Sequence, residues 1–335
     1  MYVLGIDTSC DDTSASVLDC SPERVSIVRN VVSSQTAIHT KYGGIVPELA
    51  SRSHIEMIWP VTAEAMGGMK PSEIGLVAVC HGPGLIGSLL VGCSFVKAMC
   101  YAAGLEFIGV NHLEGHILSP FLEGRSPEFP FLSLVVSGGH TSIYKVSGYC
   151  DYAEIGRTRD DAAGEAYDKV SKMLGLGYPG GPIIDRLASE GNPHAVELPR
   201  AYLHGGYDFS FSGLKTAVRL AKEANPAISD ADMAASFQAS VIDVLARKCE
   251  WAIKETGIRG LAISGGVAAN SGLRSRMAQM AVDRDVELYL PSLGFCTDNA
   301  AMIALSGYRR YLRGERSGLD LNPRAYMPVA PCVAR

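Results

Sequence analysis

GIDTSCDDTSAS fills residues 5–16, and VVSGGHTSIYKV fills residues 135–146. Each reads as an apolar strand, a turn of small polar residues and a second strand. Turns built from Gly, Ser, Thr and Asp leave backbone N–H groups unobstructed, and concave rows of such donors bind anions. One hairpin of this kind is an ordinary type I′ or II′ turn. Two of them, about 130 residues apart, predict a duplicated fold with two lobes facing one phosphate-bearing ligand.

The bulk properties agree with that reading. A chain of 335 residues has room for two domains or two lobes of one architecture. Apolar residues make up 47% and charged residues 19%, so a large core is expected and disorder is not. The formal charge of −5 gives no global positive field for nucleic acid. A nucleic-acid substrate would need a local basic surface or one lent by a partner. The nine cysteines form no CxxC pair. Cys10, Cys80, Cys93, Cys100 and Cys249 lie in apolar surroundings, as buried thiols do, which predicts a reducing, cytoplasmic compartment. No apolar run is expected to reach the ~18 residues of a membrane span. The start, MYVLGIDTS, reads as a strand and not as a signal peptide.

Along the chain, strands alternate with helices, which predicts α/β layers. Residues 2–6 and 14–18 form the first hairpin, with 25–32 a third strand. Pro47 opens a helix running to about residue 66, which Pro60 is expected to kink or split. A buried strand over 76–80 runs into HGPGLIG and an apolar helix to about residue 103. In the second half, a helix follows DDAAG from about residue 163 to 174. YPGGP (178–182) reads as a rigid loop. A long amphipathic helix covers 232–256, a strand–Gly-Gly–helix unit covers 261–283, and the last helix covers 298–313.

His112 and His116 are four apart, so on a helix both rings share one face and can share a metal. Packing or capping accounts equally well for such a pair. In the zinc-protease motif HExxH the glutamate follows the first histidine and acts as general base. Here it is Glu114, about 200° around the helix from His112 and so directed away from any shared ion. The spacing supports a metal and argues against peptidase chemistry. Asp298, in FCTDNAAMIA, is the candidate third ligand; a plain helix N-cap is the competing reading. Two histidines and one carboxylate with open positions suit ferrous iron or zinc.

Glycine turns supply the other candidates. In SGGHT, Ser137, Gly138 and Gly139 permit close approach of backbone to phosphate. SGGVAAN ends on Asn270, which could hold a nucleotide's sugar or base; strand–Gly–helix joints of this kind are also common structural units. Asp168 and Asp185 flank YPGGP and could accept ribose hydroxyls, or simply be solvated acids. FSFSGLKTA, with Lys215, reads equally as a binding segment or as a core strand entering a capped helix.

HLEGH, SGGHT, DDAAGEAYDK, YPGGP, FSFSGLKTA, SGGVAAN and CTDNAAMIA occur in this order. Together they resemble the TsaD/Gcp family of tRNA threonylcarbamoyladenosine transferases, formerly the O-sialoglycoprotein endopeptidase family. The resemblance runs from GIDTSCDDTS to the last helix. It implies the duplicated actin-like ATPase (ASKHA, ribonuclease H-like) α/β fold with two lobes around a central cleft. The expected lobes are residues 1–125, joined by the helix 298–313, and residues 126–297. The resemblance further implies a metal, one Fe2+ per subunit with zinc as the alternative, on His112, His116 and Asp298. Substrate contacts are implied at Val135, Val136, Ser137, Gly138, Gly139, Asp168, Gly181, Asp185 and Asn270. The implied reaction moves the threonylcarbamoyl group of threonylcarbamoyl-AMP to the exocyclic amine of the adenosine 3′ of the anticodon in ANN-decoding tRNAs. Implied partners are a shorter paralogue of the same fold (TsaB-like) and a small P-loop ATPase (TsaE-like), with no membrane. Asp12 stands where many relatives carry a glutamate. Asp12 and His140 are the candidates for a general base.

Three other functions compete. A metallopeptidase needs a water-activating carboxylate beside the metal. A small-molecule kinase of the same fold needs ATP and magnesium but neither histidine. A non-catalytic scaffold needs no metal ligands at all.

Overall fold

Strand β1 (Tyr2–Asp7) lies at the centre of a five-stranded sheet. β2 (Asp12–Cys20) pairs with it antiparallel, and β3 (Val25–Ser34) pairs antiparallel with β2. After α1 (Thr36–His39) and α2 (Pro47–Met66), β4 (Ile74–Gly82) returns parallel to β1. After α3 (Ile86–Ala103), β5 (Phe107–Asn111) pairs parallel with β4. The order is β3-β2-β1-β4-β5. Val3 to Ile6 are all buried, the continuous apolar run expected of a strand covered on both faces. The short helix α4 (His112–Leu118) follows β5 directly.

A second sheet repeats the plan. β6 (Phe131–Val136) pairs antiparallel with β7 (Thr141–Gly148), which is followed by β8 (Asp151–Arg157). α5 (Ala163–Met173), α6 (Gly180–Ala188), α7 (Ser212–Ala224) and α8 (Asp230–Thr256) precede β9 (Gly260–Ser264), parallel to β6. α9 (Ser271–Arg284) leads to β10 (Glu287–Tyr289), parallel to β9, and then α10 (Leu293–Cys296). The order β8-β7-β6-β9-β10 is the same third-second-first-fourth-fifth sequence. The final helix, α11 (Ala300–Leu312), packs on β1, β2, β4 and α4. The approach is close: a Cβ on Gly5 would lie 2.2 Å from the Ala300 carbonyl oxygen.

The described residues are 1–203 and 205–329 of this computed structural model. They divide into two units. The first is Met1–Ser126 with Tyr149–Tyr152 and the chain from Asp298 on; the second is Pro127–Gly148 with Ala153–Thr297.

Three expectations change. α2 runs unbroken through Pro60. Pro60 and Glu56 lie on the exposed face, so water can satisfy the Glu56 carbonyl that the missing N–H leaves free. YPGGP is not all loop, because its glycines begin α6. α3 is 18 residues long and apolar enough to cross a membrane by length and composition, contrary to the expected absence of such a run. Its Leu89, Cys93, Val96 and Cys100 are instead packed into the core of the first unit. The eight described cysteines are all free.

Candidate functional site

In the first unit, β5 delivers α4 with its first turn already fixed. The Asn111 side chain caps the helix, accepting from the amides of Leu113 at 2.8 Å and Glu114 at 3.4 Å. His112 and His116 then meet edge to face on one side of the helix, with ring centroids 4.8 Å apart and an interplanar angle of 86°. Asp298, two residues before α11, meets both rings. Its Oδ1 lies 3.1 Å from His116 Nε2 and 3.4 Å from His112 Nε2. Asp298 is not the cap of α11: Asn299 fills that role, accepting from the Met302 amide at 3.1 Å. That leaves the Asp298 carboxylate for the histidines, and the capping alternative falls.

A second layer orients His112. Its Nδ1 lies 3.2 Å from Asp7 Oδ2 and 3.1 Å from Ser9 Oγ, and Asp7 also accepts the Ser9 amide at 2.9 Å. A carboxylate on Nδ1 holds the ring in the tautomer whose Nε2 carries the lone pair. Neither Asp7 nor Ser9 was read from the sequence as part of the site; the available signal was an acid at the buried end of the first strand. Cys80 joins Asp7 and His112 in an overlapping cluster.

The electrostatics follow from burial. Burial alone would lower the His112 pKa, but Asp298 and Asp7 overcome it and hold it well above the usual histidine value. Burial would raise the Asp298 carboxyl, yet His112 and His116 hold it well below the ordinary carboxylate range. One carboxylate set between two imidazoles makes a place that favours added positive charge. The donor atoms of His112, His116 and Asp298 lie within 4.8 Å of one another, and the buried His116 Nδ1 has no hydrogen-bond partner among the described residues. Two imidazole nitrogens and one carboxylate, with an outer carboxylate behind the first ring, fit a divalent transition metal.

Glu114 occupies the far side of α4 and is engaged elsewhere. It accepts from Arg310 Nε at 2.6 Å and from the Tyr152 hydroxyl at 3.0 Å. Asp12, the first residue of β2, has its carboxyl pushed up to about 7, chiefly by burial.

In the second unit a cavity of about 580 Å³ opens beside the SGGHT turn. Of the residues expected to touch substrate, Gly138, Asp168, Gly181, Asp185 and Asn270 line it. Val135 and Val136 are wholly buried in β6, and Ser137 is nearly so, so they support the turn from beneath. Ser137 and His140 close the turn: the Ser137 amide donates to the His140 carbonyl at 2.8 Å, and the His140 amide to Ser137 Oγ at 3.2 Å. A Cβ on Gly138 or Gly139 would meet nothing, so the turn presents an open surface. His140 is half-buried in it.

The acids of this cavity also organise backbone. Asp168 accepts the Gly180 amide at 2.7 Å, starting α6. Asp185 accepts the Ser271 amide at 2.9 Å and its hydroxyl at 2.9 Å, at the start of α9. They are built into the cavity, not solvated acids. FSFSGLKTA resolves to its structural reading. Phe209 and Phe211 are buried, and Asp160 caps α7 by accepting the Phe211 and Ser212 amides and two serine hydroxyls. Gln238 and Tyr167 were not anticipated: Gln238 bonds both Asp185 and Asn270. The sequence signal was a lone amide on the buried face of α8.

Solved structures support the fold. The chain is similar to HypF in its phosphate- and nucleotide-bound form, with TM-score 0.61 and 14% identity over 93% of this chain and 55% of that one. It is also similar to the ADPNP-bound activator of 2-hydroxyisocaproyl-CoA dehydratase from Clostridium difficile, with TM-score 0.54 and 15% identity over 92% and 94%. These are actin-like ATPase folds, and the duplicated α/β architecture here is one as well. The sequence profile of TsaD, tRNA N6-adenosine threonylcarbamoyltransferase, matches residues 26–305. Relatives of that name include the protein of Thermodesulfovibrio yellowstonii, 59% identical over 98% of this chain and all of its own. Another, from Geobacillus kaustophilus, is 51% identical over 98% of this chain and 97% of its own. With a profile match over most of its length and relatives this similar from end to end, the chain belongs to the TsaD family.

Proposed function

We propose that this chain is a tRNA N6-adenosine threonylcarbamoyltransferase. It takes the threonylcarbamoyl group from threonylcarbamoyl-AMP and places it on the exocyclic amine of the adenosine 3′ of the anticodon in ANN-decoding tRNAs. The observation that carries this reading is coverage: 59% identity over 98% of the chain leaves no candidate site residue outside the match. The glycopeptidase alternative loses its base, since Glu114 is held by Arg310 and Tyr152. Nothing favours the kinase alternative or a scaffold.

In this reading the adenylate occupies the cavity of the second unit. Asp168 and Asp185 accept ribose hydroxyls, Asn270 meets the base, Gly181 lets the nucleoside lie against backbone, and the Gly138–Gly139 turn faces the phosphate. Val135, Val136 and Ser137 hold that turn in register. The amine nitrogen forms its bond to the carbamate carbon, the bond from that carbon to the phosphate oxygen breaks, and AMP leaves with the electron pair. An aromatic amine is a poor nucleophile, so alignment supplies much of the rate. The amine must also give up a proton; Asp12, whose carboxyl near 7 suits a base at neutral pH, and His140 are our two candidates to take it.

His112, His116 and Asp298 hold one ion per subunit, Fe2+ in our reading with zinc as the alternative. When bound, such an ion supplies Lewis-acid polarisation and neutralises developing charge. With a net charge of −5, this chain engages tRNA through local arginines and lysines or through partners, for which we propose the TsaB-like paralogue and the TsaE-like ATPase. Eight free cysteines support a cytoplasmic setting.

The test is reconstitution with these partners, unmodified tRNA, threonine, bicarbonate, ATP and the enzyme that makes the adenylate. Modified adenosine should form with the wild type, and its yield should fall by at least about 100-fold with His112→Ala or Asp298→Ala. Full activity in both variants would remove the ion from the reaction. No product from the wild type would overturn the assignment.

A further inference from the structure

Four polar groups from three helices of the second unit, α9 with its cap, α8 and α6, form one directed chain of hydrogen bonds. The Leu273 amide donates to Asn270 Oδ1 at 2.8 Å. Asn270 Nδ2 donates to Gln238 Oε1 at 2.7 Å, and Gln238 Nε2 donates to Asp185 Oδ1 at 3.0 Å. The two ends fix the direction. A backbone N–H can only donate, so Asn270 must turn its oxygen towards Leu273 and its nitrogen towards Gln238. Gln238 must then offer oxygen to Asn270 and nitrogen to the carboxylate. No amide in the chain can be flipped without setting donor against donor or acceptor against acceptor. The Tyr167 hydroxyl adds a second donor to Gln238 Oε1 at 3.4 Å. Gln238 is only 7% exposed and is not among the residues lining the cavity, whereas Asn270, Asp185 and Tyr167 are.

We infer that Gln238 is a positioning residue that sets the polarity of the cavity. It leaves Asn270 with its second N–H to give and Asp185, which also accepts twice from Ser271, with one lone pair on Oδ2 to receive. A ligand must therefore bring an acceptor to Asn270 and a hydrogen donor to Asp185. A ring nitrogen and a sugar hydroxyl of a nucleoside meet both demands. This rests on reading the cavity as the nucleoside site. Space is part of the device: a Cβ at position 272 would lie 2.9 Å from Gln238 Nε2 and 2.9 Å from Ile242 Cδ1, so Gly272 lets α9 settle over the amide.

The test uses adenosine as probe, which has no titrating group near neutral pH, with calorimetric affinity measured on the full chain. Hydrogen exchange of residues 268–274 is followed in the ligand-free protein. Wild type is expected to bind with an affinity flat between about pH 5.5 and pH 8. Gln238→Met should weaken binding about tenfold or more and speed exchange at the start of α9. Gln238→Glu should bind worst at about pH 8, where two carboxylates face each other. It should recover as the pH falls and one proton restores the missing donor. Gly272→Ala keeps the amide but displaces it, and should move both readouts in the same direction if the Gln238 variants fold poorly. Unchanged exchange and unchanged affinity in Gln238→Met and Gly272→Ala would overturn the inference. A wild type that binds no adenosine would instead overturn the reading of the cavity, while the exchange comparison still decides the role of Gln238.

Discussion

Asp12 keeps its carboxyl protonated to about 7 because burial disfavours the anion. The unfolded chain releases this proton near pH ~4. As pH rises between those values, the unfolded state ionises before the folded one, so stability contributed by the neutral carboxyl is complete below pH ~4 and lost by about pH 7. Asp12→Asn should therefore be more stable than wild type at about pH 8, by about 2–4 kcal/mol, and indistinguishable from it at about pH 4. Urea unfolding at the two pH values reads this directly; an equal gain at both would contradict it. If Asp12 takes the amine proton, the same variant loses transfer activity despite its added stability. Single residues also show what sequence can carry. The types and spacing of His112 and His116 suggest an ion without any fold. Asp7 and Ser9 act only through the His112 ring, and Gln238 only through Asn270 and Asp185. Such supporting roles are defined by which strands and helices come together, and no local pattern encodes that.

At the scale of elements, α4 and α11 must be held at a fixed separation for the histidines to meet Asp298. Glu114 on α4 and Arg310 on α11 are joined at 2.6 Å, with Glu114 fully buried. Burial raises the Glu114 carboxyl, and Arg310 and Tyr152 act against that. Removing the cation strands a buried acid, so Arg310→Met should cost about 3–5 kcal/mol, and adding Glu114→Gln should restore much of it. Chemical denaturation of the single and double variants checks the pairing; additive losses would refute it. Elements were legible where punctuation was strong. Pro47 marks the start of α2, and the Gly-Gly of SGGVAAN marks the joint after β9. Pro60 misled because its cost depends on which face of the helix meets water, which only packing decides.

For the molecule as a whole, the repeat of two hairpins foretold a duplicated fold, and the two sheets share one strand order. What the repeat could not foretell is the mixing of the chain: Tyr149–Tyr152 cluster with the first unit although their neighbours belong to the second. α11 buries Ala300, Ala301, Met302, Ile303, Ala304 and Leu305 between the first sheet and α4. A chain ending at residue 297 should thus lose the unfolding transition of the first unit and all ion binding, while the second unit still melts cooperatively. Calorimetry with a chelator-competition assay distinguishes this from a uniform loss. Unchanged melting of the first unit would mean that α11 is not integral to it.

The carboxylate that completes the ion cluster comes 182 residues after His116. During synthesis on the ribosome, both histidines and the whole of the second unit emerge before that carboxylate exists. In our reading of the site, a product terminated before residue 298 lacks the carboxylate, so loading with metal would report that the ribosome had passed that codon.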